Sequence, residues 1–430
     1  MALTGRLVLV AGIGAVVCGL SPGLPTFLGV LAGLLLGVLV DVLLAAPVSA
    51  LQLRRSGDTA VRLGGTVHVE LAVANPGPRT LRAVVRDAWP PSAGAVPTRH
   101  RITVPAGERR RLSVALTPTR RGDRRADRVT VRSIGPLGLA ARQGSHAAPW
   151  SVRALPPFAS RKHLPSRLAR LRELDGRTAV MVRGQGTEFD SLREYVIGDD
   201  VRSIDWRATA RAADVVVRTW RPERDRQVLI VLDTGRTAAG RVGDAPRLDS
   251  AMDAALLLGA LAARAGDTVG LMAYDRAVRA QVGGAGRGDL LPGLVQAMAP
   301  LEPELVETDV RGMVAAVLAR TTRRSLVVLF TGLDPATVTE GLLPGLPSLL
   351  TRHTVLVAAV ADPRIAELAA DRSDADAVYG AAAAERARAE RRTAAAQLTR
   401  RGVTVVDEPP DKLAPAVADA YLALKAAGRL

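Results

Sequence analysis

Two apolar runs, Leu7–Leu20 and Phe27–Ala46, leave this chain few options, because segments so long and so poor in charge cannot hide themselves in water. Between them Ser21-Pro22-Gly23-Leu24-Pro25 is a cluster of helix breakers that forces a reversal, so residues 1–50 are predicted to form a helical hairpin. The second run, about 20 residues, suffices for roughly 30 Å of hydrocarbon. The first reaches that length only if Ala2–Gly5 extend it and Arg6 snorkels. A cleaved signal peptide ending at Val48-Ser49-Ala50 fits poorly, since the apolar region is too long and is broken in its middle. The single cysteine, Cys18, has no partner for an intrachain disulfide, and the small residues a lipoprotein cleavage site needs are missing before it. Asp41 reads as an interfacial or helix-contact residue rather than a proton site, one lone carboxylate being weak grounds for transport.

Charge gives the hairpin a direction. Of the net +16, roughly +13 falls in Leu51–Leu155, with 19 Arg against 6 Asp plus Glu, and only Lys162, Lys412 and Lys425 are lysines in the whole chain. Arg6 before the hairpin and Arg54 and Arg55 after it place both ends in the cytoplasm by the positive-inside rule. No aromatic-studded basic stripe, zinc motif or helix-turn-helix accompanies the arginines, so a bilayer surface explains them better than nucleic acid.

From Leu51 the pattern changes to period two. Val67, Val69, Leu71 and Val73 alternate with His68, Glu70 and Ala72 until Asn75-Pro76-Gly77-Pro78 turns the chain. Further strands are predicted at Leu81–Arg86, Arg101–Val104, Leu112–Leu116 and Val129–Ile134, giving a small β-sandwich of immunoglobulin-like size over residues 51–155. His68, His100, His146 and His163 lack metal-ligand spacing.

Residues 156–226 contain a block dense in paired charges. Glu188, Asp190, Glu194, Asp199, Asp200 and Asp205 alternate with Arg193, Arg202, Arg207, Arg211 and Arg218, while Phe189, Tyr195, Trp206 and Trp220 supply large apolar anchors. This mixture predicts a folded hub in which Asp199 or Asp200 caps a helix and Asp205, Trp206 and Arg207 form a packed ion network.

Residues 227–430 alternate strand and helix. Apolar strands are predicted at Val228–Leu232, Thr268–Tyr274, Leu326–Phe330, Thr354–Val360 and Val403–Val406. Helices fall at Leu248–Ala265, Val310–Ala319, Ala336–Leu350, Ile365–Leu398 and Lys412–Ala427. Repeated βα units mean a doubly wound, mostly parallel sheet, whose functional edge is the carboxyl end of its strands, where Asp233 sits. The Ala-rich stretch carrying Glu385 and Arg388 reads as a solvent-facing helix.

The string EFDSLREYVIGDDVRSIDWRATAR, followed by DVVVRTWRPER and VLIVLD, resembles the signature of the bacterial family called domain of unknown function 58, and LTPTRRGDRRADRVTVRSIGPLGLAARQ is similar to that family's upstream part. The resemblance implies a membrane anchor and an α/β domain of the von Willebrand factor type A kind. Such a domain holds a divalent ion with an Asp-x-Ser-x-Ser loop, a later Thr and a later Asp. Here Asp233-Thr234-Gly235-Arg236-Thr237 keeps the first carboxylate and the last hydroxyl, Thr308 matches the later Thr or is a plain N-cap of the helix that follows, and Gly332 stands where the later Asp belongs, with Asp334 two residues on. The set Asp233, Thr237, Thr308 and Asp334 is therefore a degenerate metal-ion-dependent adhesion site. Gly235 and Gly332 remove two oxygens, and Arg236 opposes a cation.

Catalytic readings find little to build on. His353 is the sole histidine past the hub, and no phosphate-cradling Gly-rich motif occurs. The sequence reading is a non-enzymatic, membrane-anchored binding or scaffold protein of the plasma membrane. Its soluble part lies in the cytoplasm, with no certain cofactor beyond weak Mg2+ and with a protein partner. By resemblance that partner is an AAA+ ATPase of the MoxR class. The rivals are a metal-dependent hydrolase using the hub carboxylates and a nucleic-acid binder, and no nucleic acid is expected.

Overall fold

Gly23 and Pro25 end one apolar helix and start the next. In the computed structural model α1 spans Gly5–Leu20 and α2 spans Leu24–Leu44, with Pro25 in the first turn, where its missing N–H costs nothing. The structure describes residues 2–181, 188–197, 199, 201–211, 214–221, 226–283 and 289–430, and for 175–181, 188–191 and 219–221 the backbone alone. It divides between Pro157 and Phe158 into two compact units. Helix α2, 21 residues long, rises about 31 Å and is long and apolar enough to cross a membrane. Helix α1 does not gain the extension predicted for it. Ala2 and Leu3 pair instead with Ala141 and Ala140 as an edge strand, so the helix stops at 16 residues.

Behind the hairpin two sheets pack face to face, antiparallel throughout except where Ala60–Arg62 runs parallel to Ala140–Leu155. One orders Ala2–Leu3, Ala140–Leu155, Gly122–Ile134, Leu81–Asp87 and Arg99–Val104, with Ala60–Arg62 alongside the second of these. The other orders Gln52–Gly57, Val67–Ala74, Arg109–Leu116 and Ala95–Val96. Their inward residues Val69, Leu71, Leu81, Val85, Val114 and Val131 are fully buried, as the period-two pattern requires. Between the sheets lies a buried ion pair: Arg55 donates to Asp87 at 2.5 Å, and Asp87 also accepts from the Trp89 indole at 3.1 Å. A pair so enclosed fixes geometry more than it adds stability.

Asp41 joins hairpin and sheet. It is fully buried, and its carboxylate accepts backbone N–H groups of Leu137 at 2.7 Å, Leu139 at 2.5 Å and Ala140 at 2.9 Å, all from the Gly-Pro corner that follows Ile134. A Cβ on Gly135 would lie 2.4 Å from the carboxylate carbon, so the corner needs glycine there. Thr4 donates to the carbonyl of Gly138 at 2.5 Å, and Arg142 to that of Val42 at 2.7 Å, tying both helices to the same corner.

The second unit is built on one six-stranded sheet. Its strands are β1 (Gln227–Asp233), β2 (Thr268–Tyr274), β3 (Val278–Val282), β4 (Ser325–Phe330), β5 (Thr354–Val360) and β6 (Thr404–Glu408), in the order β3-β2-β1-β4-β5-β6. All pairs are parallel except β2 with β3. Strands β1, β4 and β5 are buried almost throughout, so they read as continuous apolar runs. Helix α3 (Arg247–Arg264) packs on the sheet and on α4 (Pro410–Ala426). The helix predicted over Ile365–Leu398 is two, Pro363–Ala370 and Ala375–Arg400, because Asp374 caps the second by accepting from the Ala377 N–H at 2.8 Å. Glu385 and Arg388 do pair across one turn, at 2.6 Å.

The Asp41 contacts generate a test. Asp41→Asn turns a charged acceptor into an amide whose NH2 faces donors, costing about 2 kcal/mol or more. In nanodiscs the amides of Leu137, Leu139 and Ala140 should then exchange about 30-fold faster. Unchanged protection would contradict the clamp.

Candidate functional site

Strand β1 delivers Asp233 to the carboxyl edge of the sheet at the point where strand order reverses. Its side chain is 2% exposed, so its charge must be met by donors. Four are in place. One oxygen accepts the Thr308 hydroxyl at 2.6 Å and the Gly235 N–H at 2.8 Å, and the other accepts the Thr331 hydroxyl at 2.6 Å and that of Thr237 at 3.2 Å. A carboxylate has about four lone-pair positions, and here all are used.

Three of the four residues read from the sequence meet here: Asp233, Thr237 and Thr308. Thr308 is not the helix cap. Asp309 is, accepting from Gly312 at 2.9 Å, which frees Thr308 to reach Asp233. Gly235 makes that reach possible, since a Cβ there would sit 2.1 Å from the Thr308 hydroxyl. Asp334 does not join. Its oxygens take the backbone N–H and hydroxyl of Thr337 at 2.9 and 2.7 Å, capping the helical segment Ala336–Leu342. Thr331, the hydroxyl one step past β4, fills the remaining place and was not among the residues singled out in the sequence. Arg236 does not stand as a bare charge beside the loop either, because Glu307 accepts from it at 2.5 and 2.9 Å. Among the described residues no group of three or more His, Cys, Asp and Glu could hold a metal ion.

Next to the Asp233 cup, a narrow cleft of about 30 Å³ lies over the carboxyl ends of β1, β4 and β5 and against the start of α3, lined by Thr237, Arg247, Leu248, Phe330, Thr331 and Arg391 among others. Arg391 is committed to Asp407 through bonds of 2.5 and 2.7 Å. His353 lies buried, its ring 3.2 Å from the Thr321 hydroxyl, and burial lowers its pKa, with Arg352 adding to the shift.

The hub takes a different form from the one predicted. Glu188–Glu194 and Val216–Arg221 pair antiparallel, with Val201–Ser203 and the short helix Trp206–Thr209 in the connection between them. Asp205, rather than Asp199, caps that helix, accepting from the N–H groups of Arg207 and Ala208 at 3.0 Å each. Asp199 accepts from Arg193 at 2.6 Å and from the Val196 N–H at 3.0 Å; Asp200 lies outside the described residues, as do the side chains of Glu188 and Asp190. The ionic partner of Asp205 is Arg218 at 2.7 Å, not Arg207. Trp206 is 68% exposed, Ile197 is 97% exposed, Arg202 and Arg207 are exposed and Tyr195 is half-buried, so Trp206 does not anchor a packed ion network, although Val217 is buried; the side chains of Phe189 and Trp220 lie outside the described residues. Charge density marked the block as folded, but whether a tryptophan is buried depends on tertiary neighbours.

Since Arg218 is 45% exposed, removing its partner strands no buried charge. The Ala208 N–H above all, then Arg218, hold the Asp205 carboxyl below its ordinary value of 3.8. A depressed folded pKa stabilises above the unfolded value and ceases to as pH falls through the folded one. Asp205→Ala should lower the melting temperature slightly at neutral pH, by an amount that shrinks as pH falls through the folded pKa of Asp205, while speeding amide exchange at Arg207 and Ala208. A large drop in melting temperature would restore the packed-network reading.

The family model described as "Protein of unknown function DUF58" matches residues 191–401, from the Glu188–Glu194 strand through the end of the Ala375–Arg400 helix. The chain is 28% identical over 200 residues to uncharacterized proteins of Mycobacterium tuberculosis (strain ATCC 25618 / H37Rv) and Mycobacterium bovis (strain ATCC BAA-935 / AF2122/97), covering 45% of this chain and 61% of each relative. It thus spans about three fifths of the curated relatives it matches. Among solved structures, the CARDB domain of a Pyrococcus furiosus protein is 18% identical with a TM-score of 0.19, over 24% of this chain and 86% of that one.

Proposed function

We propose that the chain is a non-enzymatic, membrane-tethered binding protein that engages a protein partner at the carboxyl edge of its α/β sheet. One observation carries this reading. The Asp233 cup and its cleft lie where β1 has β2 on one side and β4 on the other, the crevice in which open α/β sheets take their ligands. The strand order, the antiparallel β3 at one edge and the Asp-Thr-Gly-Arg-Thr loop support the resemblance to a von Willebrand factor type A domain. The full use of the Asp233 carboxylate by hydroxyls and an amide supports binding over acid–base work, which needs a group free to exchange protons. By the same resemblance the partner is an AAA+ ATPase of the MoxR class. Anchoring is by α2 in the plasma membrane. The arginines around the hairpin support an orientation with both termini and the soluble units in the cytoplasm.

A divalent ion fits this cup weakly. Asp233, Thr237, Thr308 and Thr331 offer one charge and three neutral oxygens, while Asp334 is spent on its cap, and Mg2+ sites draw on carboxylates in near-octahedral order.

Full-length protein cross-linked in membranes should therefore retain its partner in the presence of a chelator and lose it in Asp233→Ala. Calorimetry should give Mg2+ binding of about millimolar or weaker. Protease added to intact cells should leave the second unit uncut. Micromolar Mg2+ binding that vanishes in Asp233→Ala, together with partner loss on chelation, would return the metal-dependent reading. Digestion from outside would overturn the orientation, and turnover on generic hydrolase substrates would overturn the non-enzymatic assignment.

A further inference from the structure

Arg247 is the first residue of α3 and lines the cleft beside the Asp233 cup. Its backbone N–H donates to the carbonyl of Gly240 at 2.8 Å, and its side chain lies over the same glycine, where a Cβ would come within 3.0 Å of Nη1. Packing therefore holds the guanidinium in place. Hydrogen bonding does not: among the described residues its side chain has no ion-pair or hydrogen-bond partner, and Nε is buried without one.

Arg247 is half-buried with its Nε enclosed, and an enclosed guanidinium nitrogen without a partner is costly, the remedy normally being a nearby carboxylate. Four acids lie around Arg247, and among the described residues none of them bonds to it. Asp233 is saturated by its four donors, Asp334 caps at Thr337, Asp362 accepts the Arg364 N–H at 3.0 Å, and Asp407 takes both bonds from Arg391. Burial lowers the Arg247 pKa, the Arg391 charge adds to that, and Asp362, Asp334 and Asp407 oppose it without closing on the group. The cleft therefore presents a fixed, uncommitted guanidinium with a second guanidinium beside it, and what it lacks is an anion.

The shape of the cleft selects the anion. About 30 Å³ admits a single small group and is far below the roughly 300 Å³ at which pockets begin to enclose whole small molecules. Its walls, from Leu248, Ala251, Phe330, Ala358 and Val360, are apolar. A charged head on a short aliphatic stem matches both features.

We propose that Arg247 is the receptor for a carboxylate at the tip of a partner's glutamate or aspartate side chain, with Arg391 beside it and the apolar walls around the methylene stem. The inference rests on the reading that this edge of the sheet binds a protein. It adds that the acidic group is taken by a guanidinium, so recognition needs no metal. The planar fork of arginine pairs with a carboxylate through two parallel hydrogen bonds, which a lysine cannot reproduce.

The test uses the full chain in nanodiscs with a chelator present, and saturation-transfer NMR with two small peptide mimics, N-acetyl-glutamate N-methylamide and N-acetyl-glutamine N-methylamide. The glutamate mimic should bind at least about ten-fold more tightly than the glutamine mimic. Arg247→Gln should erase that difference and Arg247→Lys should shrink it, while Arg236→Gln, whose guanidinium pairs with Glu307, should preserve it. Because Arg247 has no side-chain partner to lose and its enclosed Nε is a cost, Arg247→Gln and Arg247→Lys should melt at or slightly above the wild type. Equal binding of the two mimics, retention of the preference in Arg247→Gln, or tighter binding of inorganic phosphate than of the glutamate mimic would each overturn the carboxylate site. Should Arg247→Gln still capture the partner that wild type captures, this proposal falls while the binding edge stands.

Discussion

A buried carboxylate has to be answered by donors, and at Asp233 the answer organises the whole working edge of the second unit. Its four bonds draw together the end of β1, the turn that follows it, the segment before the helix at Val310 and the first residue past β4. Those segments are far apart in the chain and meet only because the sheet places β1 centrally. Glycine at 235 is a consequence of the same requirement, since any side chain would occupy the position of the Thr308 hydroxyl. The first unit solves a similar problem with backbone amides. There Asp41 takes three N–H groups from one tight corner, so the carboxylate that looks misplaced in an apolar run is what attaches the hairpin to its sheet.

Much of the architecture was legible because burial imprints period and length. Alternation gave Val67–Ala74, continuous apolar runs gave β1, β4 and β5, and the break at Ser21–Pro25 gave the hairpin. The long strand Ala140–Leu155 was not legible, since Gly144 and Pro149 interrupt its pattern; the ladder itself shifts register between Ala147 and Trp150. Strand β3 and the helix Leu290–Met298 were missed as well, the former because Arg279 and Gln281 give an edge strand no apolar run to show.

At the site one of the four residues read from the sequence, Asp334, makes no bond to the Asp233 carboxylate. Spacing suggested that Asp334 would stand in for a missing carboxylate at Gly332, but an aspartate followed three residues later by a threonine at a helix start finds a nearer use as a cap. The place went to Thr331, whose position directly after a buried strand at the carboxyl edge was the available signal. Arg247 could not have been found from sequence. Its significance is that none of its acidic neighbours bonds to it, which only coordinates reveal.

The central claim, that the Asp233 carboxylate holds the edge together through hydroxyl donors, is tested most directly by a double-mutant cycle on Asp233→Asn and Thr308→Val in the full chain. Residues bonded at 2.6 Å should show a coupling energy of about 1–3 kcal/mol in unfolding. Strictly additive effects would mean that the two side chains act independently, and the account of the site would be wrong.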